Sequence, residues 1–450
     1  MGNVQSVLIG DFLHRIRRPI SLIDNKKYKL VTIKMNHKGI VLREEKLASN
    51  IKSKMYEVKE GDFILSGIDA RNGAFGIVPK ELDGAIVTND FWYFDIDESI
   101  VDKQLFLELT STKWFDEICR KGSDGTTQRI RLQKNKFFNQ KINIPPREEQ
   151  STFISTFRRN KQNNNNLKEE LTHQQTLLKK LRHQILQEAI EGKLTADWRE
   201  KNPDVEQASE LLARIQAEKA QLIKDKKIKK QKPLPPISEE EKPFELPDGW
   251  VWCRLGEILE FLTDYHANGA YEKLKKNVQL LDRPNFAIML RTTNFHYKSK
   301  FKYKYITESA YNFLSKSKVY PEDLIMNKIA DPGAVFFVDD RKQPMSLAMN
   351  LFLLRFNKET ISSRYAYFYL KSSYEYVVSF SSGTATSTIT KDAVNKLRFP
   401  LPPLQEQKAI VAKVEKLLAL CDQLESQITD NQHHAKQLMQ AVLKEAFSQA

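Results

Sequence analysis

The chain has 450 residues, room for about two to four domains that each bury a core, which excludes a peptide or mini-scaffold. Hydrophobic residues make up 41% and charged residues 28%, near the globular norm, which excludes wholesale disorder and a fibrous repeat. Seventy-one Lys and Arg against 57 Asp and Glu leave a net charge of +14, which favours a polyanionic partner, nucleic acid first, with a basic but unengaged surface as the alternative.

Residues 1–144 carry short β-branched and aromatic runs punctuated by Gly, Asn, Asp and Pro, the pattern of strands and loops with some helix. In this first module Lys34 and Asn36 follow the apolar run Leu30 to Ile33, and Arg71 and Asn72 precede Gly73. Residues 145–192 read as a long helix. Its Pro145-Pro146 pair suits a first turn, where proline's missing N–H is an orphan anyway, and Glu148 and Glu149 favour the positive end of the helix dipole. Leu167, Leu171, Leu178, Leu181 and Ile185 mark an apolar seam, softened by Asn160 and the run Asn163 to Asn166.

Residues 193–245 read as a connection. Asp204 is expected as the N-cap of a helix with Gln207 at its third position, leading into Leu211, Leu212, Ile215, Leu222 and Ile223. The basic run Lys224 to Lys232, the prolines Pro233, Pro235 and Pro236, and Glu239 to Glu241 then make a charged linker that buries no core.

Residues 246–400 form the second module. Between Lys298 and Tyr305 lysines occupy even positions and aromatics most odd ones, the period of a strand. One face would present Lys298, Lys300, Lys302 and Lys304, suited to following a phosphate backbone. A solvated edge strand whose lysines discourage aggregation is the alternative. Arg291 and Asn294 follow the apolar run Ala287 to Leu290 much as Lys34 and Asn36 follow theirs. Such side chains read guanine and adenine edges in the major groove, and they also line ordinary loops. Residues 401–450 read as a second long helix. Val414, Cys421, Ile428, Ala435 and Val442 recur every seven residues, interleaved with Ile410, Leu417, Leu424, Asn431 and Leu438, the a and d positions of a coiled coil.

The plan is repeated. Pro145-Pro146-Arg147-Glu148-Glu149-Gln150 recurs 257 positions later as Pro402-Pro403-Leu404-Gln405-Glu406-Gln407. At the same offset Leu181, Ile185, Leu186, Glu188 and Ala189 align with Leu438, Val442, Leu443, Glu445 and Ala446. Upstream, Gly61-Asp62-Phe63-Ile64-Leu65 resembles Glu322-Asp323-Leu324-Ile325-Met326, and Gly/Thr-rich stretches precede each proline pair at Gly122 to Thr127 and Ser382 to Thr386. Those stretches read as turns needing glycine's freedom, or as backbone nests for phosphate. Helices of about 40 residues are roughly 60 Å long, so a mutual antiparallel pair would act as a ruler between the modules.

Signatures of catalysis are missing. The sequence has no phosphate-binding Gly-x-x-x-x-Gly-Lys-Ser/Thr loop, and Asn143-Ile144-Pro145-Pro146 lacks the aromatic residue of an amino-methyltransferase motif. Pro203, Asp204, Glu240 and Lys242 imitate a nuclease pattern by chance, on a helix cap and in a linker. Cys119, Cys253 and Cys421 are scattered, and His433-His434 points to different faces of a helix, so neither a disulfide framework nor a metal site is encoded. Three cysteines without a framework fit a reducing, cytoplasmic setting, and no apolar run approaches a membrane span. Met1-Gly2-Asn3-Val4-Gln5-Ser6 matches a myristoylation pattern too short to weigh.

The twin Pro-Pro-x-x-Glu-Gln entries, Leu246-Pro247-Asp248-Gly249-Trp250 with Leu255-Gly256-Glu257 behind it, and Gly192-Lys193-Leu194-Thr195 together resemble the specificity subunit of Type I restriction-modification enzymes. The resemblance covers nearly the whole chain. It implies an α+β fold of two tandem α/β target-recognition domains, each followed by a long helix, the helices packed as an antiparallel coiled coil with pseudo-two-fold symmetry. It implies double-stranded DNA with a bipartite target as ligand, and two modification subunits and restriction subunits as partners. S-adenosylmethionine, ATP and Mg would sit on those partners, and this chain would carry no cofactor and no catalytic residue. A DNA-binding regulator acting alone and a coiled-coil scaffold without DNA contact are the alternatives. The first module departs from the family in lacking the Leu-Pro-x-Gly-Trp opening, beginning instead at Val7-Leu8-Ile9-Gly10-Asp11, and reads as shortened there.

Overall fold

The computed structural model describes residues 5–110, 112–125, 130–226, 228, 232–296, 302–383 and 386–447. The fold is α+β, and the chain divides into two compact units: residues 1–173 with 428–450, and residues 174–427. No helix among the described residues is long and apolar enough to cross a membrane.

In unit 1 a four-stranded sheet runs in the order Leu13–Ile16, Phe91–Ile96, Phe63–Ser66, Phe75–Ile77. A second runs Ile40–Leu47, Lys27–Ile33, Ile86–Val87, Tyr56–Glu57, and an antiparallel ribbon joins Gln5–Leu8 to Lys141–Ile144. Phenylalanines dominate the core. Phe63 meets Phe106 edge-on at 4.9 Å and Phe75 meets Phe115 at 4.9 Å, contacts that add roughly 0.5–1.5 kcal/mol each beyond area burial.

Unit 2 repeats this order strand for strand. Its sheets run Leu259–Asp264, Leu351–Phe356, Leu324–Asn327, Val335–Phe337 and Lys304–Ile306, Ala287–Leu290, Met345–Leu347, Lys318–Val319, with a ribbon of Val251–Arg254 and Arg398–Leu401. Even the mixed pairing is kept: Leu30 runs parallel to Ile86, and Ile288 to Met345. The Asp62 and Asp323 carboxylates play equivalent parts. Each accepts from a backbone N–H three residues back, Lys59 and Tyr320, and each pairs with an arginine, Arg18 and Arg355.

The long helices, Arg147–Ile190 and Leu404–Phe447, have 44 residues each. Their proline pairs lie just ahead of the first turn, where Pro146 O accepts from Glu149 N and Pro403 O from Gln407 N, both at 2.9 Å. The motif glutamines lock these entries. Gln150 Nε2 donates to Pro145 O at 3.0 Å and to Ile100 O at 2.9 Å, and its Oε1 accepts from Asp102 N. Gln407 Nε2 donates to Pro402 O at 3.0 Å while its Oε1 accepts from Ser362 N. Both side chains are wholly buried.

The apolar seam is half of that expected. Leu171, Leu178, Ile185, Ile410, Val414, Cys421 and Ile428 are buried, and Leu417 is half-buried. Leu167, Leu181, Leu424 and Leu438 are instead exposed, between 42% and 62%. A heptad repeat predicts two apolar positions per seven residues but not that both will be covered, and here a single stripe is. Val442 lies in the helix, its side chain outside the described set. The asparagine run does not break the first helix: Asn164 is buried, and its Nδ2 donates to Ala435 O at 2.7 Å within unit 1. In unit 2, Arg182 pairs with Asp422 and Glu425.

One expectation for the connection is corrected. The helix spans Ala208–Lys224 with Gln207 as its N-cap, and Asp204 lies in the preceding turn. Ala208 N donates to Gly249 O, so a tertiary bond overrides the local capping signal. The linker buries no described side chain of its own, as expected, yet its backbone is anchored. Arg254, only 4% exposed, donates to Pro235 O, Pro236 O and Lys396 O and pairs with Glu241.

Candidate nucleic-acid interface

Three elements of unit 1 enclose a cleft of about 780 Å³ lined by Met35, Asn36, His37, Arg71, Asn72, Lys113, Asp116 and Arg120. The turn after Lys27–Ile33 supplies the first side. Lys34 N donates to Gly39 O at 2.9 Å, and Asn36, His37 and Gly39 take positive φ, the residue types that tolerate that region best. The second side is the turn Ala70–Asn72, joined to the first by Asn36 N to Asn72 O at 2.8 Å and His37 N to Gly73 O at 3.0 Å. At Gly73 a Cβ would meet the His37 ring at 2.9 Å, and φ is +75°, so only glycine fits.

The helix Lys113–Lys121 forms the third side. Phe115, Ile118 and Cys119 are buried in the core, while Lys113, Asp116 and Arg120, three and four residues apart, line the cleft. Asn36, Arg71 and Asn72 are thus brought together from separate turns. Arg71 Nη1 donates to Ile130 O at 3.2 Å. Lys34 is exposed on the same turn without lining the cleft. His37, Lys113, Asp116 and Arg120 were not singled out from sequence. The amphipathic pattern of Lys113 to Lys121 held the signal, but only the fold shows that its polar face meets the two turns.

In unit 2, Arg291 follows the strand equivalent to the one before Lys34. Its guanidinium donates to Lys302 O at 2.9 Å, and its Nε is buried without a hydrogen-bond partner. Asn294 is a correction. It is 8% exposed and its Oδ1 accepts from Arg291 N at 3.0 Å, so it serves a local turn and does not face outward. Among the described residues of the lysine stretch, the strand covers Lys304–Ile306, and Lys302 and Tyr303 lie just ahead of it. Lys298 and Lys300 lie outside the described residues. Lys302 is exposed, whereas Lys304 pairs with Asp282 and holds that carboxyl below its usual range. Tyr303 and Tyr305 pack inward as the alternation requires.

One cluster unites the motifs of unit 2. Glu406 is wholly buried and accepts from Thr195 Oγ1 at 2.7 Å, Trp250 Nε1 at 2.8 Å and Arg199 Nη1. Gly192, at φ +72°, lies so close to Pro247 that a Cβ would stand 2.5 Å from its ring. The Gly192 to Thr195 and Leu246 to Trp250 motifs therefore meet at the second helix entry. The matching residue of unit 1, Glu149, is exposed.

The repeated topology and these motifs agree with the family comparison. The model of the Type I restriction modification DNA specificity domain matches residues 1–173 and 247–431, and the chain belongs to that family. Among its relatives, the specificity subunit of the Type I restriction enzyme EcoAI of Escherichia coli is 35% identical over 247 residues, 54% of this chain and 40% of that protein. The EcoEI specificity subunit of Escherichia coli is 30% identical over 282 residues, 60% of this chain and 45% of that one. The matched stretches span less than half the length of these curated relatives. The crystal structure of the HsdS subunit from Thermoanaerobacter tengcongensis superposes with a TM-score of 0.62 at 17% identity, over 98% of this chain and 96% of that one. A chain from a structure describing assembly and conformational transition of the type I R-M system gives 0.60 at 16% identity, over 99% and 97%. At such identities the likeness is one of fold.

Proposed function

We propose that this chain is the DNA-specificity subunit of a Type I restriction-modification complex, each unit's sheet module taking one half of a bipartite double-stranded target. The observation that carries this reading is the identical strand order of the two modules in a chain of the specificity-domain family. In unit 1 the cleft offers Asn36, Arg71 and Asn72, side-chain types that read base edges, beside Lys113 and Arg120, which suit phosphates. In unit 2, Arg291 and Lys302 stand at the equivalent edge.

The long helices, read as an antiparallel coiled coil relating the two copies by a pseudo-two-fold, act as the spacer. Their uncovered leucines, Leu167 and Leu438 in unit 1 and Leu177, Leu181, Leu420 and Leu424 in unit 2, are exposed apolar side chains suited to helical partners. Two modification subunits would dock there, bringing S-adenosylmethionine, and restriction subunits would bring ATP and Mg. The chain itself performs no catalysis and works in the cytoplasm.

The test is paired substitution in the full chain assembled with its modification subunit. Arg71→Ala is expected to weaken discrimination at one half-site and Arg291→Ala at the other, read by competition binding on duplexes altered in either half. Loss at the same half from both substitutions, or at neither, contradicts the reading.

A further inference from the structure

The cleft of unit 1 is basic at Lys113, Arg120 and Arg71 and carries amides at Asn36 and Asn72. All five suit DNA. Asp116 does not suit phosphate, yet it lines the same cleft between Lys113 and Arg120.

The fold holds this carboxylate in place. Burial of Phe115, Ile118 and Cys119 fixes the opposite face of its helix. His37 Nε2 lies 3.1 Å from Asp116 Oδ2, and the His37 ring stands edge-on to Phe75 at 5.0 Å. Asp116 Oδ1 is shut off from solvent without a hydrogen-bond partner. The side chain as a whole is 17% exposed, so Oδ2 is the oxygen it offers to the cleft.

A carboxylate oxygen accepts hydrogen bonds, and so do phosphate oxygens, guanine O6 and N7, and thymine O4. The donors on base edges in the major groove are cytosine N4 and adenine N6. Each base pair has one such amino group, on one strand only. The geometry points to Asp116 as a specificity residue that admits cytosine or adenine, and rejects guanine or thymine, at one position of the strand it faces. Lys113 offsets its repulsion of the backbone by holding a flanking phosphate, whereas the charge of Arg120 is already met by Glu117. This inference rests on the reading of unit 1 as a DNA module.

The experiment uses the full chain assembled with its modification subunit, as wild type, Asp116→Asn, Lys113→Ala and Arg71→Ala. Each is offered a library of duplexes varied at every target position at one fixed salt concentration, and the bound fraction is sequenced. Asparagine keeps the shape but donates as well as accepts. The preference for cytosine or adenine at one position of one half-site is therefore expected to fall about tenfold or more in Asp116→Asn. Preferences in the other half-site stay intact, showing in the same data that the protein is folded and assembled. Lys113→Ala weakens all sequences alike. If Asp116→Asn keeps every preference while Arg71→Ala alters one, the inference is overturned and the DNA-reading role of unit 1 stands. If no cleft substitution changes affinity or preference, both are overturned.

Discussion

Glu406 and Glu149 occupy the same place in the repeated Pro-Pro-x-x-Glu-Gln motif, yet only Glu406 is buried, and the contrast can be measured. Hydrogen bonds to a charged group contribute roughly 1.5–3 kcal/mol each. Glutamine at 406 keeps one acceptor oxygen but turns an NH₂ group toward donors supplied by Thr195, Arg199 and Trp250. One or two of the three bonds are then lost. Arg199 is 21% exposed, so water recovers part of its share, and the net cost of Glu406→Gln comes to about 2–4 kcal/mol. For a unit of this size that is a fall in Tm of roughly 4–16 °C. Glu149→Gln alters an exposed carboxylate and is expected to stay within about 0.5 kcal/mol of wild type. Urea unfolding followed by tryptophan fluorescence reads both, since Trp250 is a partner of Glu406 and Trp92 lies in the core of unit 1. Equal effects at the two sites, or no effect at Glu406, would refute the reasoning.

Asn164→Leu is expected to raise the stability of unit 1 by about 1 kcal/mol in thermal unfolding, because it removes an Oδ1 that is buried without a partner. A loss of similar size would show that the bond to Ala435 O outweighs that penalty. Lys219, in the connecting helix, is buried enough that its amine is pushed down to about 8 from an ordinary 10.5. Below about pH 8 folded and unfolded chains both hold this proton and the whole penalty stands. From about pH 8 to 10.5 only the unfolded chain holds it, so stability rises with pH, and above that range the penalty is gone. Lys219→Met is expected to abolish that rise and to exceed wild type in stability at neutral pH; denaturant midpoints across the range, which must converge as pH increases, check it. Lys302→Ala is expected to weaken binding to all DNA sequences alike and to flatten the salt dependence by about one unit. Binding isotherms at several salt concentrations will show a smaller change for Lys304→Ala, whose charge is already met by Asp282.

The duplication was legible because the helix entries repeat side chains that do the same work. Gln150 and Gln407 recur together because each ties a proline carbonyl to the neighbouring loop. The heptad positions were legible as apolar, but which of them would be covered depends on the partner helix, and Leu424 and Leu438 turned out exposed. That the linker buries no core was legible from its prolines and charges, but not that one arginine, Arg254, would gather its carbonyls and Glu241. The cleft was half legible. Asn36, Arg71 and Asn72 stood out by residue type, but His37 and Asp116 lie 79 positions apart, and nothing local announces that they touch. Asn294 was misread for the opposite reason, since its amide answers a backbone N–H three residues away.

The central claim is that two modules of one fold read two separated stretches of a duplex. Mapping methylated adenines across the genome of cells carrying this chain and its modification subunit tests it most directly. A single motif of two short specific halves divided by a gap of fixed length, lost when the chain is deleted, is the expected result. One continuous motif, or methylation unchanged by the deletion, would contradict it.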